Sequence, residues 1–395
     1  MTFYRTTRLM LSGAAFLSLA GSAFALDGQD LLKKINAAYS QQGGTIVADG
    51  VDVNGTTVTL KKASFKANSG EAVSIGDITM KGVEEDEDGG YYVEEASFPN
   101  VSAISEGATF TATDLTLSGI SIPADPKGEG LDSMLLYENA HSGPVKVVQN
   151  GAELFSIAES DVNLTLREDE SGFDFDGAFK GLKADLSKAS DAQSKEAIDK
   201  LALQHIEGDI TMKGAWELTP GTIDVSEFAF DFNNVGKLNL AFKISGYTMP
   251  FIKSLQEAAK QAEANQNKEQ SQQALGLSML GLMQQLSFES AQIRFDDASI
   301  TKRALDYAGS QQNISGQQMA DSLKAMTPIM LAQLNIPELQ NAISAAVNTF
   351  LDNPKSLTLA AAPAKPVPFP MIMGAAMGAP NTLPQVLGVK VSAND

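Results

Sequence analysis

The sequence predicts an α+β fold: mainly antiparallel β-sheet with an internally duplicated β-meander at 45–246, packed with C-terminal helices. Three observations carry it. From Thr45 onward apolar residues alternate with Thr, Ser, Asp and Lys, the pattern of strands buried on one face and wet on the other. Gly76-Asp77-Ile78-Thr79-Met80-Lys81-Gly82 recurs identically from Gly208 to Gly214, an offset of 132. From Pro250 the apolar spacing turns helical.

The elements follow in order. Leu31, Leu32, Ile35, Ala38 and Tyr39 share a helical face, and Gly43-Gly44 stops that helix. Val51 to Leu60, with Asn54-Gly55 at its centre, is a hairpin pattern. Strands are expected over 73–81, 91–98, 108–122, 145–148, 154–167 and 173–182, broken by turn clusters at 123–130 and 168–172. The repeat extends downstream. Val93–Phe98 parallels Val225–Phe230 at the same offset, and Leu117-Ser118-Gly119 parallels Ile244-Ser245-Gly246 after a small deletion. Two stacked copies would each cover the other's open edge.

Between the copies, 187–203 reads as a helix with Ala192, Ala197, Ile198 and Leu201 as its weak apolar face. A long helical stretch follows Pro250, solvated over 256–273 and apolar over 275–286. A strand is expected over 287–293, then helices over 301–309, 315–331 and 337–350. Ser315 with Gln318, and Pro337, are helix start signals. The tail offers strands at 356–361 and 386–392, joined by an Ala/Pro/Met/Gly segment over 362–383.

The expected organisation is a signal peptide at 1–25, a duplicated β-rich region at 26–246, a mainly helical region at 247–352, and strands rejoining the sheet at 353–395. Arg5 and Arg8, the apolar run Leu9–Ala20 and Ala23-Phe24-Ala25 make the leader, so the mature chain is expected to start at Leu26, be periplasmic and carry no transmembrane helix. The net charge is −19, and −21 once the leader's two arginines are removed. With no Lys/Arg cluster, such a surface repels nucleic acid.

There is no cysteine, which removes thiol catalysis, thiolate metal sites and disulfides. His141, in an expected turn, and His205, before a strand, are the only imidazoles and cannot form a three-His zinc site. The acidic run Glu84–Asp88 lacks the spacing of a calcium loop and reads as a solvated hairpin tip. Asp174 and Asp176 fall on the wet face of a strand. No hydrolase, nucleotide or metalloprotease motif is present, so no catalytic residue, metal ligand or cofactor is assigned.

Nine of the fourteen methionines lie from Met249 onward. Unbranched, polarizable side chains suit variable apolar partners, and they also serve to glue helices to a sheet. Met279, Met283, Met326 and Met330 are the candidate lining of an apolar groove.

Ile293–Leu305, Phe350–Leu357 and Val391–Asn394 resemble uncharacterised periplasmic proteins of alphaproteobacteria over the last third of the chain. The repeated amphipathic strands are similar in architecture to AsmA-like and YdgA-like envelope proteins. That resemblance implies lipid handling on a greasy sheet face; unlike the AsmA-like pattern, this chain retains no expected membrane anchor. The leading expectation is a non-enzymatic envelope protein that binds a lipid or hydrophobic partner. The alternatives are a hydrolase of an envelope polymer using an unassigned Asp/Glu pair, and a structural interaction protein.

Overall fold

The computed structural model describes residues 26–40, 44–67, 72–128, 130–188, 191–264, 268–333 and 335–395. The expected leader, Gly43 and the side chain of Ala192 lie outside what is described. The chain begins α1 (Gly28–Ser40), β1 (Gly44–Val47), β2 (Gly50–Asn54), β3 (Thr57–Ala67), β4 (Ala72–Glu85) and β5 (Tyr91–Ser97). Then come β6 (Val101–Ser105), β7 (Ala108–Ala112), β8 (Thr116–Ile122), β9 (Asn139–Ser142), β10 (Val145–Gln149), β11 (Ala152–Ile157), β12 (Glu159–Leu166) and β13 (Gly172–Asp185). The next elements are α2 (Ala192–Lys200), β14 (His205–Glu217), β15 (Thr222–Phe232), β16 (Gly236–Ser245), α3 (Met249–Ala264), α4 (Lys268–Met283) and β17 (Ser287–Asp297). Helices α5 (Ile300–Gln311), α6 (Gly316–Gln333) and α7 (Pro337–Asp352) precede β18 (Ser356–Ala361), β19 (Val367–Pro368), α8 (Phe369–Gly378), α9 (Leu383–Val386) and β20 (Val389–Ala393).

The chain divides into two units. The first is Met1–Ser97 with Ser118–Tyr137 and Leu166–Phe173; the second is Phe98–Leu117 with Glu138–Thr165 and Asp174–Asp395. In the first, Asp27 caps α1 by accepting from the Gln29 and Asp30 amides at 2.9 and 3.1 Å. Leu31, Ile35 and Ala38 form its buried stripe, as their spacing predicts. The Asn36 amide joins α1 to β1, donating to the Ile46 carbonyl at 2.8 Å and accepting from the Ile46 amide at 2.6 Å. β1 and β2 share one edge of β3, whose other edge pairs with β4; β5 then pairs with β4 and with β8. The β2–β3 turn is Gly55-Thr56, with Asn54 already paired to Thr57 and Gly55 at φ +60. A positive φ at the first central residue and not at the second, Thr56, marks a type II′ turn, which places glycine there.

The two heptapeptides occupy β4 and β14, and their pairing matches residue for residue. Thr79 faces Ser97, Met80 faces Ala96 and Lys81 faces Glu95; Thr211 faces Ala229, Met212 faces Phe228 and Lys213 faces Glu227. The correspondence reaches one strand further upstream than the sequence match. Asp77 Oδ1 accepts from the Lys62 amide at 2.8 Å, and Lys62 has φ +45. Asp209 Oδ1 accepts from the Gly181 amide at 2.7 Å, and Gly181 has φ +63. In each copy the aspartate thus holds a left-handed residue on the preceding strand, followed by a buried Ala63 or Leu182. Helix α2 lengthens the connection in the second copy.

In the second unit, β14, β15, β16, β17, β18 and β20 pair in that order, all antiparallel, with β19 on the remaining length of β17. The tail strands thus rejoin the sheet as expected. β6, β7, β10 and β11 form a second antiparallel run, and β9 pairs with β12. Helix α5 packs on α6, α6 on α7, and α7 against β18 and β20. The Ser315 hydroxyl accepts from the Gln318 amide at 3.2 Å, while Gln318 Oε1 accepts from the Ser315 amide at 2.9 Å, a closed capping box.

Several expectations are corrected. The strand expected over 108–122 is two, β7 and β8, parted where Asp114 adopts φ +54. That over 154–167 is likewise β11 and β12. His141 lies in strand β9 instead of a turn, because Asn139–Ser142 pairs with β12. The long helical stretch after Pro250 is two helices, α3 and α4, packed on each other. The segment 362–383 contains helix α8, whose uniformly apolar residues show no helical period.

Candidate functional site: an exposed apolar sheet face

Side chains alternate across a strand, so cross-strand partners share a face. Met212, Phe228, Leu240, Ile293, Leu359 and Val391 form one continuous row across six strands. The next row is Gly214, Val225, Phe242, Ala291, Ala361 and Val389. The opposite face carries Thr211, Ala229, Asn239, Arg294, Thr358 and Ser392 in register, polar but for the alanine. There Arg294 donates to Asp296, Thr358 and Asp395, which ties the last residue to the sheet. One side is therefore greasy and the other is a hydrogen-bonded polar network.

The two ends of the greasy face are covered. At one, Phe350 of α7 meets Phe295 with ring centroids 6.4 Å apart. At the other, Trp216 donates from Nε1 to the Tyr247 carbonyl at 2.9 Å, and Tyr247 stacks toward Phe251 of α3. Between them Phe242, Ile293 and Leu359 remain 41%, 46% and 44% exposed on three adjacent strands. The first unit is better filled, although Val47, Val53 and Val73 are exposed on its strands. It holds sixteen of the buried apolar side chains among the described residues against twelve in the second, which is more than twice as long. A strip of large apolar residues left open in the middle of a sheet has the character of a binding surface.

The four candidate methionines are distributed over two helix groups. Met279 and Met283 are on α4, which packs on α3; Met326 and Met330 are on α6, which packs on α5 and α7. Met279, Met326 and Met330 are exposed at 40%, 53% and 60%. Helix α7, between α6 and the strands, carries the contact to the sheet. Sequence reasoning missed Phe242, Ile293 and Leu359. Their signal is that six paired strands place apolar residues at matching positions, which emerges only once the register is known.

Other chemistry is sparse. His141 Nδ1 lies 2.8 Å from Asp161 Oδ1 across the β9–β12 pair, and this hydrogen bond holds the Asp161 carboxyl below the usual range. With Glu159 these are the described residues whose ligand atoms, within 4.8 Å of one another, have the chemistry to hold a cation. The direct His141–Asp161 bond already satisfies two of the three. His205 begins β14 and is largely exposed. A shallow cavity of about 570 Å³ is lined by Asp174, Asp176 and Asp224, but Asp176 accepts from Asn163 at 3.0 Å and Asp224 pairs with Lys243 at 3.3 Å. The run Glu84–Asp88 sits at the β4–β5 hairpin tip, closed by the Asp86 amide donating to the Gly90 carbonyl.

A family model described as "Uncharacterized protein" matches residues 229–394, the stretch from within β15 to the end of β20. No curated protein matches the chain. Within this stretch the side chains of Asp297, Arg303 and Asn394 bind backbone groups. Asn394, at φ +58, accepts from the Lys355 and Ser356 amides and donates to the Thr349 and Asn353 carbonyls. Asp297 caps α5 through the Thr301 amide at 2.8 Å, and Arg303 donates to the carbonyls of Leu201, Ala202 and Asn234. Among the described residues no helix is long and apolar enough to cross a membrane.

Proposed function

We propose that the chain is a non-enzymatic periplasmic envelope protein that binds a lipid acyl chain on the greasy face of its second-unit sheet. The observation that carries this reading is the open strip of Phe242, Ile293 and Leu359 between two covered ends. Burying ten methylenes there would contribute about 8 kcal/mol before ordering costs. That supports micromolar binding without polar recognition. The leader-like first 25 residues and the resemblance to alphaproteobacterial periplasmic proteins support the compartment, and the similarity to AsmA-like proteins accords with lipid as the ligand.

Mass spectrometry of organic extracts of the purified protein tests the reading. Wild type should carry acyl lipid, and Ile293→Asp or Leu359→Asp should lose it while remaining folded. A lipid-free wild type that also fails to bind fluorescent fatty acids would overturn it.

A further inference from the structure

The structure has a second apolar surface, on helices instead of strands. Helix α8, Phe-Pro-Met-Ile-Met-Gly-Ala-Ala-Met-Gly, has no charged residue and buries none of its side chains. Met371 and Met377 are 58% and 89% exposed. On α4, Leu277 and Leu280 are 72% and 49% exposed. The four glycines of the two helices confirm open surroundings: a Cβ built on Gly276, Gly281, Gly374 or Gly378 meets nothing within 4 Å. The strands bring the helices to the same end of the sheet. Phe288 pairs with Val367, and the Phe369 amide that opens α8 donates to the Leu286 carbonyl just beyond α4 at 3.1 Å.

We propose that this tip of α4 and α8 docks into the interface of a neutral, zwitterionic lipid bilayer. The charge pattern selects that occupant. No charged residue occurs from Gln270 to Phe288 or from Pro366 to Val389, in a chain where 19% of residues are charged. Seating these stretches at the headgroup boundary therefore desolvates no ion. The rest of the chain, at −19, is repelled by anionic headgroups, and neither stretch supplies a Lys or Arg to offset this. A protein partner is the poorer fit, because neither stretch contains Trp, Tyr or Arg, the residues that anchor protein interfaces. Among the described residues no helix is long and apolar enough to span, so the tip lies in the interface; α8, about 15 Å long, suits a depth of roughly 5–10 Å.

Flotation of the purified chain with phosphatidylcholine vesicles tests this. Wild type should float, with little dependence on salt. The pairs Met371→Asp with Met377→Asp, and Leu277→Asp with Leu280→Asp, should each cut partitioning by at least about tenfold with unchanged thermal melting, since the side chains are already in water. Ile293→Asp, in the sheet strip, should float like wild type, so failure of the strip and failure of the tip are read separately. A wild type that stays at the bottom, or tip variants that float as well as wild type, would overturn the proposal. So would a wild-type dimer that the tip variants turn into monomers, which would make the surface a contact between copies.

Discussion

The rings of Phe295 and Phe350 meet edge-on, at 70° between planes and 6.4 Å between centroids. The contact ties α7 to β17 and closes one end of the greasy strip. Phe350 is 8% exposed, whereas Ile293, one row from Phe295 on the same face of β17, is 46% exposed. The helix residue that closes the end is thus buried while the strand residue beside the closed end is not, and the first predictions use that contrast.

Phe350→Ala should cost about 3–5 kcal/mol, the price of a cavity under a buried ring. Ile293→Ala should cost under about 1 kcal/mol, because its side chain is half in water already. Urea unfolding of both variants measures the contrast. Equal losses would mean that the strip is closed in solution.

The paired left-handed residues predict opposite responses to glycine and alanine. Lys62→Gly should stabilise by up to about 1 kcal/mol, since an L side chain is strained at φ +45. Gly181→Ala should destabilise by about 1–2 kcal/mol, because its new Cβ would lie 2.9 Å from the Ala158 Cβ at φ +63. Thermal melting of the two variants should move in opposite directions.

Asp30 accepts from the Tyr91 hydroxyl at 3.0 Å and from Lys34, whose ammonium lies 4.8 Å from the Tyr91 ring centre. The Lys34 bond holds the Asp30 carboxyl below its usual range, while burial, aided by Asp30, pushes the Tyr91 phenol up. A depressed carboxylate stabilises the fold above its unfolded pKa of about 3.9, and that contribution is lost as pH falls through the lower folded value. Asp30→Asn should therefore lose about 1 kcal/mol near neutral pH. The gap from wild type should narrow below about pH 4. Melting curves across that range test the sign.

Asn394→Ala removes four hydrogen bonds that join the α7 end, the start of β18 and the C-terminus. The expected loss is about 2 kcal/mol, with early hydrogen exchange in β18 and β20. Exchange that is unchanged in those strands would show that α7 holds them without the asparagine.

Short-range signals were readable in the chain. The α1 stripe, the Ser315–Gln318 box, the Gly55 turn and the strand at 356–361 each rest on residues within a few positions of one another. What escaped depends on distance or on absent contrast. The break at Asp114 is a backbone choice that alternation does not record. Helix α8 shows no polar side against which a period is visible. The strip of Phe242, Ile293 and Leu359 draws on strands as far apart as 117 positions, the separation of Phe242 from Leu359. The methionines were legible as soft residues, but their composition carried no information on which helices pack together.

The duplicated aspartate–amide bond bears on which side of the sheet faces what. A slip of one residue between strands would exchange every inward and outward side chain. Asp77 and Asp209 each fasten a carboxylate to one amide on the strand before, a bond that a slipped pairing would not form. The two copies fill the far end of that bond differently, with lysine in one and glycine in the other, and both reach the same geometry. Sidedness in this protein is thus pinned at two points by a bond to the backbone, leaving the neighbouring side chains free to differ between the copies.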